Sequence, residues 1–302
     1  MAWMHENMSA GKSKAQVFAA RLFSTILLVA VVGGTMVSMN PWAFMALMSV
    51  LSIAASVELF RMIGNSDTRC QPRWGMTLSV LYTLTLAGIL GSCGREGLAF
   101  VSQIDTAFIA FAILSTFMFQ LREPVQANKS LLCVGTTVLS VLYIPFLFGF
   151  LGKTLFVPPS GDFTEGVALL IWLVVVTKIT DIGAYCTGSL IGKHKMIPHI
   201  SPGKTWQGFF GALVWALVTG STIYYFNGEN LAALGGWPHV ITLCIILPLL
   251  TVVGDLAESV IKRSLDAKDS GNTLPGIGGA LDLIDSLCFT APALYFYLLW
   301  LN

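Results

Sequence analysis

The sequence predicts an all-α, polytopic integral membrane protein of about nine transmembrane helices, with its N-terminus in the cytoplasm. Three observations predict it. The 302 residues are 55% hydrophobic and only 11% charged, with a mean hydropathy of +0.75, whereas a soluble domain carries about 25% charged residues. Apolar segments close to 20 residues long recur from end to end, the length that a hydrocarbon layer of roughly 30 Å demands of a helix. The basic residues also fall on alternate connections, as the positive-inside rule requires.

In chain order, residues 1–15 form a polar cytoplasmic tail, MAWMHENMSAGKSKA. Nine spans are expected near 16–36, 41–62, 74–92, 100–121, 131–151, 166–190, 206–227, 238–261 and 279–300. The first contains RLFSTILLVAVVGG, which resembles a signal-peptide core, but no small-x-small cleavage site follows, so a retained helix is expected. With the N-terminus inside, 14 of the 17 Lys and Arg residues face the cytoplasm: Lys12, Lys14, Arg21, Arg61, Arg69, Arg73, Arg122, Lys129, Lys193, Lys195, Lys204, Lys262, Arg263 and Lys268. Arg95 and Lys153 fall outside, and Lys178 lies within a span. No connection is long enough for a soluble domain, and no internal repeat marks an inverted-repeat transporter. The six cysteines show neither a CxxC pair nor metal-ligand spacing, so no disulfide framework or zinc site is expected.

The two halves differ. Residues 16–151 form apolar helices with two acids, Glu58 and Asp105, each near a span end, where hydration and a functional role are both open. Residues 166–302 form the candidate catalytic region, with cytoplasmic loops at 191–205 and 262–278 rich in Gly, Pro, Ser and Lys.

The eighth span ends TVVGDLAESVIKRS, with Asp255, Glu258, Ser259 and Lys262 along one helical stripe. An Asp following an apolar run costs about 3 kcal/mol on insertion scales. An intrahelical Glu258–Lys262 ion pair accounts for those two residues and leaves Asp255 without a partner. The ninth span opens GGALDLIDSLCF, with Asp282 and Asp285 three apart on one face. Like charges so close call for a proton or a cation. With Asp255 they make three carboxylates on consecutive helices, a hard-oxygen set suited to Mg²⁺; the competing reading is a helix-capping role for the acids. Between them, KRSLDAKDSGNTLPGIGG supplies Lys262, Arg263 and Lys268 together with Gly271, Gly276, Gly278, Gly279 and Pro275. Basic groups, close backbone approach and a helix start suit a polyphosphate.

A second polar stretch, KITDIGAYCTGSLIGKHKMIPHISPGKTWQGFFG, spans 178–211. Lys178 and Asp181 can neutralise each other, and Lys193, Lys195 and Lys204 can satisfy lipid headgroups or bind phosphate. SPGKT is not the tail of a nucleotide P-loop, because the first glycine of that motif would fall at Pro198. His194 and His199, five apart without a nearby Cys or acid, are not expected to hold metal.

From Ser259 to Asp285 the chain resembles the signature of the CDP-diacylglycerol synthases, also called phosphatidate cytidylyltransferases. That pattern is S-x-x-K-R, then K-D, then P-G-H-G-G-x-x-D-R-x-D. It appears here as Ser259, Lys262, Arg263, Lys268, Asp269, Pro275, Gly276, Gly278, Gly279, Asp282 and Asp285. Ile277 stands where the family has His, and Leu283 where it has Arg. Asp181, Ala184, Tyr185, Gly192-Lys193-His194, SPGKTWQG at 201–208, GDLAES at 254–259 and ELFRM at 58–62 are similar to the family as well.

The resemblance implies a nucleotidyltransferase that makes CDP-diacylglycerol and pyrophosphate from CTP and phosphatidate during phospholipid biosynthesis. It implies Mg²⁺, with a monovalent cation such as K⁺ as a candidate second ion, held by Asp255, Asp282 and Asp285. Lys262, Asp282 and Asp285 are the expected catalytic residues. Asp181, Tyr185, Lys193, Ser201, Lys204, Thr205, Ser259, Arg263, Lys268, Asp269, Gly278 and Gly279 are the expected substrate-binding residues. The implied partners are membrane lipid and a second copy of the chain in a homodimer, with no nucleic acid. The compact chain, lacking organelle-targeting features, places the expected location in the cytoplasmic membrane of a bacterium. Competing readings are a cation-coupled transporter, which would spread its acids through the membrane depth, and a catalytically weakened lipid-binding relative.

Overall fold

The computed structural model describes residues 26–27, 30–66, 70–271 and 278–301. The tail 1–15 with its two lysines, Arg21, Arg69, and the Pro275-Gly276-Ile277 stretch lie outside the described residues, as does most of the first expected span, of which 26–27 and 30–37 are helical.

Seven apolar helical runs among the described residues are long enough to cross a bilayer. One of them, Pro72–Gln120, has 49 residues, more than twice the need of one crossing. It folds back on itself. Gly94, at φ 53 and ψ −127, ends α2 (Pro72–Cys93), and α3 (Gly97–Gln120) returns beside it. Tyr82 and Asp105, nearly equidistant in sequence from the turn, meet with the phenol donating to Asp105 Oδ1 at 2.8 Å. The expected separate spans at 74–92 and 100–121 are therefore both present.

Helix α1 (Pro41–Gly64) starts where Asn40 accepts from the Trp42 N–H and Pro41 sits at the first turn, which needs no donor there. The next crossing is composite. Helix α4 (Asn128–Val141) passes into a π-helical segment, Leu142–Phe146, and then into α5 (Leu147–Thr154). Pro145 causes the bulge, because it has no N–H to donate to the preceding turn. Helix α6 (Phe163–Ile191) is capped by Asp162, which accepts from the Thr164 N–H. Its second-residue neighbour Glu165 accepts from Ala233 N–H at 2.8 Å, tying α6 to the turn that follows α7.

The expected loop 191–205 is instead a small antiparallel hairpin, β1 (Lys195–Ile197) and β2 (Ser201–Thr205). Thr205 closes it and caps α7 (Trp206–Asn227), its hydroxyl accepting from Gly208 N–H. Helices α6 and α7 pack closely because small residues meet large ones: Gly183 lies under the Trp215 side chain, and buried Trp172 donates to the Gly220 carbonyl at 3.0 Å. Helix α8 (Trp237–Ser264) carries the second acidic stripe, and the chain returns through α9 (Ala280–Ile284) and α10 (Leu287–Leu301). The ninth span, expected as one helix, breaks after Ile284. There the Ser286 N–H donates to the Asp285 side chain at 2.6 Å instead of to a backbone carbonyl one turn back.

Neither acid of the first half is hydrated. Asp105 pairs with Lys153, which is 1% exposed, at 2.5 Å, and the ammonium also sits 3.9 Å from the centre of the Phe150 ring. Glu58 is 3% exposed. Removing one member of a buried ion pair strands the other charge, a cost of about 3–5 kcal/mol. Asp105→Asn and Lys153→Met are each expected to lower unfolding stability in detergent by that order. The Asp105→Leu/Lys153→Met double variant should lie closer to the wild type than either single change.

Candidate active site

The polar end of α8 projects Asp255, Glu258 and Lys262 along one stripe, and Asp255 and Lys262 reach partners on other elements. Lys262 Nζ lies 2.7 Å from Glu258 and 2.9 Å from Asp282, joining α8 to α9. Asp282 Oδ2 accepts from the Ser270 hydroxyl at 2.6 Å and from the Gly279 N–H at 2.8 Å, so this acid caps its own short helix. Asp255 pairs with Lys204 of the hairpin at 2.8 Å, and the same ammonium reaches the Val252 carbonyl at 3.3 Å. Asp255 also stands in hydrogen-bond contact with the carboxyl of Asp285. From α6, Lys178 donates to the Leu283 carbonyl at 2.9 Å and lies 3.9 Å from Asp181. The two polar stretches of the sequence thus fold into a single site.

Its position follows from helix geometry. Asp255 sits nine residues before the end of α8, on the order of 13 Å along the helix axis. The acids therefore gather toward one end of the bundle.

Glu58 of α1 completes the frame. Its Oε2 accepts from Leu281 N–H at 2.9 Å, across 223 positions of sequence, and satisfies a free donor at the start of α9. The approach is possible only beside glycine: a Cβ on Gly279 would stand 2.4 Å from Glu58 Oε2, and one on Gly271 would stand 2.6 Å from its Oε1. Gly254 similarly lets α8 pass against the Asp285–Ser286 backbone. Adjoining Ser270 is an open cleft of about 740 Å³, bordered by Glu58, Arg61, Asn65, Asp266 and Asp269.

Asp255, Asp282 and Asp285, expected to hold one ion together, each have other partners in the structure. Among the described residues no three Asp, Glu, His or Cys side chains gather closely enough to hold a metal. The reason is that Asp282 is turned to Gly279, Ser270 and Lys262, leaving Asp255 and Asp285 as a pair. The chemistry of that pair still fits a divalent cation. Two carboxyls in contact need a proton or a cation between them. Close by, Glu258 Oε1 and Ser286 Oγ are buried oxygens without a hydrogen-bond partner. Mg²⁺ is commonly held by one or two carboxylates and completes its shell with water and substrate phosphates.

Other expected residues are placed as follows. Thr205 is used as a helix cap, and Lys193 donates its backbone N–H to Gln207. Lys193, Arg263, Lys268 and Asp269 are exposed, Asp269 at the cleft beside Ser270, while Ser201, Ser259 and Gly278 are half-buried. Tyr185 is exposed and contacts none of the acids. His194 lies 2.7 Å from the Gln207 amide. Glu58 and Ser270 were not among the expected site residues. Glu58 carried a signal, an acid inside an apolar span; Ser270 carried none.

Fold and site together define a polytopic membrane protein with a cluster of paired charges at one end of its bundle. The chain belongs to the cytidylyltransferase family, whose model matches residues 19–301. It is 37% identical over 200 residues to the phosphatidate cytidylyltransferase of Bacillus subtilis (66% of this chain, 69% of the relative). It is 38% identical over 227 residues to that of Staphylococcus saprophyticus (72% and 82%). A third, from Haemophilus influenzae, is 38% identical over 155 residues, covering 51% of this chain and 54% of the relative.

The clearance at Gly279 yields a prediction. Gly279→Ala would press a methyl group onto Ser270 Oγ at 2.2 Å as well as onto Glu58. Overpacking of this kind costs about 1–3 kcal/mol, so detergent unfolding should shift down by that amount. Gly203→Ala, where a Cβ meets nothing within 4 Å, should be neutral.

Proposed function

We propose that this chain is a phosphatidate cytidylyltransferase: it joins CTP to phosphatidate, forming CDP-diacylglycerol and releasing pyrophosphate. The observation that carries the reading is the meeting of Lys204, Asp255 and Asp285 with Lys262 and Asp282 in a chain that matches the family over residues 19–301.

In this reading an ionised phosphatidate oxygen attacks the α-phosphorus of CTP. A new P–O bond forms, the bond from the α-phosphorus to the bridging oxygen breaks, and pyrophosphate leaves with the electron pair. The attacking group is already an anion, so no general base is needed. What the protein must do is hold two polyanions together. Lys262 and Lys204 are fixed by their acids, so each ammonium keeps a set direction for its remaining N–H donors. Arg263, Lys268 and Lys193 are exposed cations that would attract triphosphate arriving from the aqueous side. The open cleft beside Ser270 has the volume of a nucleotide-sized site. Asp255 and Asp285 are the residues that would hold a divalent ion. Such an ion neutralises charge on the phosphates and on departing pyrophosphate.

The same proposal includes a cytoplasmic N-terminus and residence in the cytoplasmic membrane of a bacterium, on the alternation of basic connections and the bacterial relatives. A monovalent second cation and a homodimer rest on family likeness alone.

The test is formation of CDP-lipid from labelled CTP and phosphatidate in detergent micelles. Asp255→Asn and Asp285→Asn should each reduce turnover roughly 10²-fold or more while the protein stays folded. Chelation with EDTA should stop the reaction and Mg²⁺ should restore it. Unchanged turnover in both variants removes the assigned role of the pair, and absence of CDP-lipid from the wild type overturns the activity itself. Asp282→Asn is expected to lose stability as well as turnover, since Asp282 caps α9.

A further inference from the structure

Four buried side-chain polar atoms among the described residues lack a hydrogen-bond partner, and three of them are on, or packed against, the elements that carry the acids: Glu258 Oε1, Ser286 Oγ and the hydroxyl of Tyr143, whose ring meets Phe289. The first two lie on the acidic elements themselves. Tyr143 comes from the other half of the chain and from a segment with no charge in it.

Its placement is specific. Tyr143 is 5% exposed and sits in the π-helical segment Leu142–Phe146, where the Pro145 bulge alters the helical register. Its ring meets Phe289 edge to face, at 6.3 Å between centroids. Phe289 follows the Asp285–Ser286 break, donates its N–H to Ser286, and also borders Gly254, the neighbour of Asp255. The phenol therefore lies over the junction where α8 and the α9–α10 break bring the acids together, within electrostatic reach of Asp255, Glu258 and Asp285.

A buried hydroxyl with no partner is costly. Tyr82, the buried tyrosine of α2, spends its hydroxyl on Asp105. Tyr143 has no such outlet: its hydroxyl bonds neither the acids nor the equally unpartnered Glu258 Oε1 and Ser286 Oγ. A donor held beside acids, without bonding to them, fits an anion that arrives between the acids and the phenol together with its countercharge. Hydrogen bonds of this sort often form only in the loaded site.

We propose that the Tyr143 hydroxyl is a substrate-orienting donor that bonds a phosphate oxygen in the acid-lined site. The inference rests on the proposed activity, and it adds a residue from the N-terminal half to the site. The phosphate belongs either to the lipid acceptor or to the nucleotide, and kinetics separates the two.

The experiment uses the full chain in mixed micelles with CTP, phosphatidate and Mg²⁺, comparing wild type with Tyr143→Phe. Phenylalanine keeps the ring against Phe289 and removes only the oxygen. The expected result is a thermal midpoint equal to or above that of the wild type, with KM for one substrate raised roughly five- to tenfold. A rise confined to phosphatidate places the phenol on the lipid phosphate; a rise confined to CTP places it on the nucleotide. A second readout is independent of turnover: the substrate whose KM rises should stabilise the variant against heat less than it stabilises the wild type. Wild-type kinetics in Tyr143→Phe, or a lowered midpoint with kinetics unchanged, overturns the inference and leaves the activity standing. No CDP-lipid from the wild type overturns the activity first.

Discussion

Everything at the polar end of this protein depends on charge compensation between segments that are far apart in sequence. An unpaired carboxylate or ammonium inside an apolar bundle is costly. The bundle answers by interleaving them: Lys204 with Asp255, Lys262 between Glu258 and Asp282, and Lys178 against the Leu283 carbonyl and Asp181. These contacts fix how α6, the hairpin, α8 and α9 sit together. The same contacts orient the ammonium groups that a phosphate would meet. Structural pairing and functional readiness are one arrangement, which is why single changes here should seldom affect only one of them.

The N-terminal half shows what a purely structural polar group looks like in the same protein. Lys153, Asp105 and Tyr82 form a closed set, in which both carboxylate oxygens are used and the lysine is further sheltered by Phe146 and Phe150. Nothing remains for a ligand. At the other end, by contrast, two carboxyls are pressed together and three buried oxygens are left unbonded. The difference between the two sets is the degree of satisfaction. Buried polar atoms left unbonded are costly unless solvent or a ligand completes them, and the Asp255 side chain, 40% exposed, leaves this set open to both.

Much of the architecture was legible in the sequence because hydrocarbon thickness imposes a length on every apolar run. The expected 41–62, 206–227 and 238–261 spans reappear with ends shifted by a few residues. Local spacing likewise announced the Glu258–Lys262 pair. Spacing failed wherever a side chain chose a distant partner or its own backbone. Asp282 and Asp285 stay three apart on one helical turn, but Asp282 accepts from Gly279 while Asp285 takes the Ser286 N–H, and the helix breaks just beyond. The partner of Asp255 could not be read from α8, since it lies on a hairpin that hydropathy shows only as a loop. Glu58 meets Leu281 across 223 positions, and no periodicity reports such a contact.

Glycine decides whether these distant contacts can close. Gly271 and Gly279 stand where any side chain would collide with Glu58, and Gly254 stands where one would collide with the Ser286 backbone. Read locally, the glycines around 271–279 mark a turn that can embrace phosphate. Their surroundings give two of them another task, which is to let an acid from α1 reach the start of α9. The lysines of the site are held by their own acids and not by these glycines. An α1 carboxylate that fixes the α9 N-terminus also fixes Asp282 and Asp285 one turn later. The first half of the chain, plain in its hydropathy, thereby sets the geometry of the acids in the second.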